Sequence, residues 1–357
     1  MELRDLLLES INRAASDLHL TSGMPPILRI DGDLVQMSSP PLSADDTKRM
    51  IYGVMSDTQK IQFEEEKELD FSLAMTGLDR FRVNVHIQRS SIEAAFRRVP
   101  IFIPSADELK LPPIIKALAL KMSGLVLVTG PTGTGKSTTM AAMVQLINSE
   151  RSCMIMAIED PIEFLHPNKK SVIKQREVYR DTHSFAEALK RCLRQDPDVI
   201  IVGEMRDLET IATALTAAET GHLVLATLHT PDAPQTIERI IDVFPPHQQM
   251  QIRQQLASCL QGVVSQKLLP HMSGKGRVLA LEIMIATPAI RNMIREQSVE
   301  QMPTIIQTGA QYGMKTMDRS LRDLFESGQV TLDVALSHAK NAEEFRQFTR
   351  VMPGIKR

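Results

Sequence analysis

The chain has 357 residues, too many for one ordinary domain, so two or three domains are expected. With 43% hydrophobic and 24% charged residues it has the make-up of a soluble globular protein. Its net charge of -2 (41 basic, 43 acidic) excludes a global positive field for nucleic acid, leaving only a local basic groove open. Cys153, Cys192 and Cys259 are far apart and form no C-x-x-C pair, which argues against a disulfide framework or structural zinc and for a reducing cytosol.

Residues 1 to about 100 read as a mixed α/β domain. Leu3, Leu6, Leu7, Ile11 and Ala14 form one stripe, broken by Glu2, Arg4, Asp5, Glu9 and Arg13. This predicts an amphipathic helix rather than a signal peptide. Asp17–Leu20 alternates as a short strand. Ile27–Leu34 reads as a hairpin turning at Asp31-Gly32. Phe81, Val83, Val85 and Ile87 alternate with polar residues, the pattern of a half-buried strand, and Glu93–Val99 continues it.

Pro100, Pro104, Pro112 and Pro113 mark a linker over residues 101–113, in which Ser105 and Glu108 have capping-box spacing for a short helix. From Ile114 the pattern changes. Leu125–Val128, Met154–Ile158, Val199–Val202 and Leu223–Leu228 are continuous apolar runs, as strands covered on both faces would be. Helical patterns lie between them, such as Phe185–Arg194 behind Ser184 and Glu187. Strands alternating with helices imply a parallel sheet. After about residue 285 the chain reads as mostly helical. No stretch reaches the roughly 18 apolar residues of a membrane span.

Gly130-Pro131-Thr132-Gly133-Thr134-Gly135-Lys136-Ser137 matches the phosphate-binding pattern G-x-x-x-x-G-K-[ST]. It follows an apolar strand and precedes a helix pattern over Ser137–Ile147, the context the motif requires. Glycines let backbone N–H groups point inward at phosphate oxygens, and the helix start, including Thr138, adds its positive end. Lys136 places a cation on the β and γ phosphates of ATP, and the Ser137 hydroxyl is a hard oxygen ligand for Mg²⁺.

Three further segments end in polar chemistry. In Ala157–Phe164, Glu163 is a candidate for orienting the attacking water, against the alternative of a solvated acidic turn. In Val199–Asp207, an apolar strand ends in Gly203-Glu204. Glycine stands where many ATPases carry aspartate, so Glu204 is the acid nearest the metal, through a coordinated water; a plain ion pair with Arg206 is the alternative. In Gly221–Thr230, His229 at the strand end would contact the γ-phosphate or a catalytic glutamate. His222 lies about 20 Å away at the other end and cannot make that contact.

Together these four segments, behind a small α/β domain, resemble the secretion-ATPase superfamily that powers type II secretion and type IV pili. Extension and type II secretion members resemble longer chains with a further N-terminal domain and a tetracysteine zinc motif, and neither is read here. Ala15–Leu20 and Ala289-Ile290-Arg291-Asn292-Met293-Ile294-Arg295-Glu296 are similar to the pilus-retraction branch, with Met293 for leucine. Bottom-up, Thr287 and Pro288 open a helix with Ile290, Met293 and Ile294 inward and Arg291 and Arg295 on another face; an ordinary amphipathic helix fits equally.

The resemblance implies an α/β chain: a PAS-like N-terminal domain over 1–100, then a RecA-like P-loop ATPase domain over 114–357 with a helical subregion from about 285. It implies arginine fingers, for which Arg82 and Arg97 are candidates and Arg277 a further one from a neighbouring subunit. It further implies a cytoplasmic homohexamer, peripheral at the inner membrane, working on a pilus platform protein, with an accessory retraction paralogue as a further partner. ATP would sit between the domains and its hydrolysis would reopen them. An extension or secretion ATPase is the alternative. A RecA-like nucleic-acid translocase is disfavoured by near-neutral charge, three tyrosines and no tryptophan.

Overall fold

The computed structural model describes residues 2–30, 32–75, 79–99, 102–343 and 345–346. Asp31 of the expected hairpin turn, and Pro100 and Ile101 of the expected linker region, lie outside them. The described residues fall into two compact units. One reaches to Phe102 and includes Glu163–Leu165; the other runs Ile103–Ile162 and from His166 onward.

The first unit comprises α1 (Leu3–Asn12), β1 (Asp17–Leu20), β2 (Ile27–Ile30), β3 (Asp33–Gln36), α2 (Ala44–Tyr52), α3 (Asp57–Glu66), β4 (Glu68–Ala74), β5 (Arg80–Gln88) and β6 (Ser91–Val99). Its six strands form an antiparallel sheet in the order β3-β2-β1-β6-β5-β4. Leu18, Leu28, Phe81, Val83, Val85 and Phe96 fill one face and meet Leu3, Leu6 and Leu7 of α1, Met50 and Ile51 of α2, and Phe63 of α3. The α1 stripe stops short of its expected end: the helix closes at Asn12, and Ala14 is exposed with φ 53°. The opposite face carries a cross-strand row of Arg29, Asp17, Arg97, Arg82 and Ser72, because register places these residues opposite one another.

The second unit opens with an irregular stretch. Ser105 and Glu108 form a reciprocal cap, with Glu108 N–H donating to Ser105 Oγ (3.2 Å) and Ser105 N–H to Glu108 Oε2 (2.7 Å). The expected helix does not develop beyond a turn: Lys110 turns left-handed (φ 54°) and Pro112 follows. Then come α4 (Pro113–Ala119), β7 (Gly124–Thr129), α5 (Lys136–Glu150), β8 (Met154–Glu159), β9 (Val172–Glu177), α6 (Phe185–Cys192), β10 (Val199–Val202), α7 (Leu208–Glu219), β11 (Leu223–Leu228), α8 (Ala233–Asp242), α9 (Pro246–Cys259), β12 (Leu260–Pro270), β13 (Arg277–Ile285), α10 (Pro288–Arg295), α11 (Met302–Thr308), α12 (Met317–Glu326) and α13 (Leu332–His338).

The seven-stranded sheet runs β13-β12-β7-β11-β10-β8-β9, parallel except for the antiparallel edge strand β13. Alternate residues face two layers. Leu125, Leu127, Ile200 and Val224 pack against α6 to α10, and Val126, Val128, Ile201 and Leu225 against α4 and α5. All of β7 is buried. Each such aliphatic side chain stabilises by about 1.5–3 kcal/mol, enough to fix the point from which the next loop springs. Among the described residues, no helix is long and apolar enough to cross a membrane.

Candidate active site

The loop after β7 reverses sharply at Gly130, whose φ is 140°. A Cβ there would lie 2.5 Å from the Gln266 carbonyl oxygen and 2.8 Å from Thr134 Oγ1, so no other residue fits. Gly130 N–H donates to the Leu228 carbonyl at the end of β11 (3.3 Å). Gly135, left-handed at φ 84°, hands the chain into α5. Pro131, Thr132 and Gly133 are exposed while Lys136 is buried, its Nζ donating to the Gly130 (2.7 Å) and Pro131 (3.0 Å) carbonyls. Phosphate oxygens would compete with those neutral carbonyls and win on charge. Ser137 and Thr138 follow in the first turn of α5, half-buried, at the positive end of a fifteen-residue helix.

Glu204 stands two residues beyond β10. The segment that carries it is stitched to both neighbouring strands: Gly203 N–H donates to the Ile158 carbonyl (2.8 Å) and Met205 N–H to the Thr227 carbonyl (3.1 Å). A Cβ on Gly203 would come within 3.2 Å of Glu159 Cα and the Ile158 carbonyl oxygen, a tight fit that favours glycine at this position. The Glu204 carboxylate accepts from Arg206 Nη2 (2.7 Å) and lies 3.1 Å from His229 Nε2. His229 Nδ1 is in turn 3.5 Å from Thr132 Oγ1 in the phosphate loop. A polar line thus runs Arg206–Glu204–His229–Thr132, joining the acid to the loop. Burial pushes the Glu204 carboxyl up, but the Arg206 hydrogen bond and the field of His229 outweigh it and hold its pKa below that of an ordinary glutamate.

His222 sits at the far end of β11, with Nδ1 3.0 Å from the Ala217 carbonyl. Glu163 is exposed and groups with the first unit. In that unit Arg97 Nε donates to Asp17 Oδ1 (2.8 Å), and Arg82 Nε lies 4.0 Å from Asp70 Oδ1. Arg277 is exposed at the start of β13. Among the described residues no group of three His, Cys, Asp or Glu side chains is arranged to hold a metal. A cation here would therefore draw most of its oxygen ligands from nucleotide and water, which is the habit of Mg²⁺. Ser137 and Glu204 carry hard oxygen donors of the kind such a cation takes.

The role of Arg291 was not visible in its helical pattern. Ile290 and Ile294 are buried as the stripe predicts. The Arg291 guanidinium folds back onto the carbonyls of Ser258 (2.6 Å), Ala286 (2.9 Å) and Ala257. It satisfies the unpaired carbonyls at the end of α9, which every helix terminus leaves open.

His166, beyond the acidic segment, donates its backbone N–H to Gln175 Oε1 (3.0 Å), while Gln175 Nε2 donates to Glu159 Oε1 (2.9 Å). Burial pushes the His166 imidazole pKa down to about 4. The unfolded chain takes up this proton near pH 6.5 and the folded chain does not. Stability is therefore complete above that pH and falls as pH drops from about 6.5 to 4, at about 1.4 kcal/mol per unit. In urea unfolding, a shift from pH 7.5 to 5 is expected to cost wild type about 2 kcal/mol more than His166→Gln. Equal acid sensitivity of the two would contradict the assignment.

Comparison with known proteins bears on the whole chain. The family model described as T2SSE, type II/IV secretion system protein, matches residues 105–348. The type IV pilus retractation ATPase PilT of Pseudomonas aeruginosa is 50% identical over 345 residues, covering 97% of this chain and 100% of the relative. The type IV pilus ATPase PilU of the same organism is 41% identical, covering 97% of this chain and 91% of its own. A crystal structure of the pilus retraction motor PilT with bound ADP superposes with a TM-score of 0.92 at 47% identity, covering 97% and 99% of the two chains. The fold agrees with these matches, and the chain belongs to the type II/IV secretion system family of P-loop ATPases.

Proposed function

We propose that this chain is the ATP-driven motor of type IV pilus retraction, and hence of twitching motility. One observation carries the reading: near full-length similarity to a retraction ATPase, in a chain that joins its strand-end acid to its phosphate loop through a histidine. The higher identity to PilT than to PilU favours the main motor over an accessory paralogue.

In this reading the backbone N–H groups of Gly130–Gly135 and the start of α5 cradle the β and γ phosphates, and Lys136 exchanges its loop carbonyls for them. Ser137, with Glu204 through a water, would hold Mg²⁺, which supplies neutralisation of phosphate charge. Glu163 orients the attacking water. His229 touches the γ-phosphate end and passes its loss to Glu204 and Thr132. Arg82 and Arg97, from the same or a neighbouring chain, are the candidates for balancing charge that develops in the transition state; each first gives up its carboxylate partner. Six copies would form the working ring at the cytoplasmic face of the inner membrane, turning a platform protein.

Deleting the gene in its host tests the proposal. Excess surface pili without twitching are expected, restored by the wild-type gene and not by a Glu204→Gln copy. Cells without pili would instead make the chain an extension motor.

A further inference from the structure

Three charged groups from distant parts of the second unit meet just beyond His229. Asp232, the N-cap of α8, accepts from Gln235 N–H through Oδ1 (3.0 Å) and from Gln235 Nε2 through Oδ2 (3.1 Å). Glu282, on β13, accepts from Ala233 N–H through Oε1 (2.9 Å). Both carboxylates are buried, at 7% and 3% exposure. One ammonium bridges them: Lys340 Nζ lies 2.9 Å from Asp232 Oδ2 and 3.2 Å from Glu282 Oε2.

Lys340 is itself pinned. Its backbone N–H donates to Asp318 Oδ1 (2.7 Å) and that of Asn341 to Asp318 Oδ2 (3.0 Å), at the first turn of α12. Only Thr230 and Pro231 separate His229 from Asp232. Thr230 Oγ1 lies 2.7 Å from Thr236 Oγ1, inside α8. The strand end that bears His229 is therefore anchored through α8, and through one lysine, to the C-terminal helices α12 and α13.

From this geometry we infer that Lys340 is a positioning residue for ATP hydrolysis. It touches no reacting atom. Its charge fixes the start of α8, and so the His229 side chain, against a rigid C-terminal frame, and it carries any shift of His229 into that frame. The inference rests on the reading of His229 given above. Without the ammonium nothing ties Asp232 and Glu282 to the segment held by Asp318, so the α8 start loses that anchor whether or not the two carboxylates repel. Displacements of an ångström away from the chemistry are enough to slow it.

The test uses the full chain with Lys340→Met, Lys340→Arg and the double variant Lys340→Met/Glu282→Gln, in which no second buried carboxylate is left unpaired. We expect kcat to fall about tenfold in Lys340→Met and in the double variant, with KM for ATP within about twofold. The double variant should melt close to wild type, and Lys340→Arg, whose fork also spans two carboxylates, should recover most of kcat. Wild-type turnover by the double variant would overturn the inference. So would a kcat loss that only tracks the folded fraction. His229→Ala separates the two levels. If it loses turnover while both Lys340→Met variants keep theirs, only the role of Lys340 falls. If it turns over ATP normally, the reading of His229 falls instead.

Discussion

Glu204→Gln is expected to lower ATP turnover by about 10²–10³-fold while KM for ATP stays within about threefold. Glutamine keeps the size of the side chain and one acceptor oxygen, so Arg206 retains a partner and the stitched segment after β10 retains its path. What disappears is the negative charge beside His229. In the function proposed above that charge acts through magnesium and His229 rather than on the nucleotide itself, so kcat is expected to fall and binding to survive. Its pKa is held below the usual glutamate value, so the acid is ionised throughout pH 6–8 and adds no slope to the rate profile there. Steady-state kinetics with a fluorescent nucleotide titration check both halves. Unchanged turnover would remove Glu204 from the chemistry.

Lys136→Ala is expected to be the more severe change. It removes the one side-chain cation of the phosphate loop, and nucleotide affinity should fall about 100-fold or more with turnover near background. It also withdraws the donor from the Gly130 and Pro131 carbonyls, so a lower melting temperature is expected together with the kinetic loss. Titration calorimetry and a thermal melt separate the two effects. Wild-type affinity for ATP would contradict the placement of the lysine on the phosphates.

The phosphate loop was legible because its chemistry is confined to eight contiguous residues with a buried strand before them and a helix after. Glu204 was legible as an acid ending an apolar run, and the structure shows its glycine neighbour in a tight place, where a Cβ would meet the backbone of β8 at 3.2 Å. Other features were not read. α2 and α3 lie on the polar side of the composition, α3 burying only Phe63. Their signal was local, in the capping boxes Ser43/Asp46 and Ser56/Gln59. β12 and β13 were missed because a run of apolar residues at 260–285 without a helix between strands does not announce an antiparallel pair. The helix after Ser105 was over-read, since a cap without room to propagate makes only a turn. The meeting of Lys340 with Glu282 spans 58 residues and has no sequence signature at all.

The position of β11 in the sheet has one more effect. It lies between the strand that leads to Lys136 and the strand that ends at Glu204, so those two strands are two spacings apart, about 9.5 Å. The intervening strand, whose own end carries His229, therefore sets the backbone separation of the two segments and places the histidine between them.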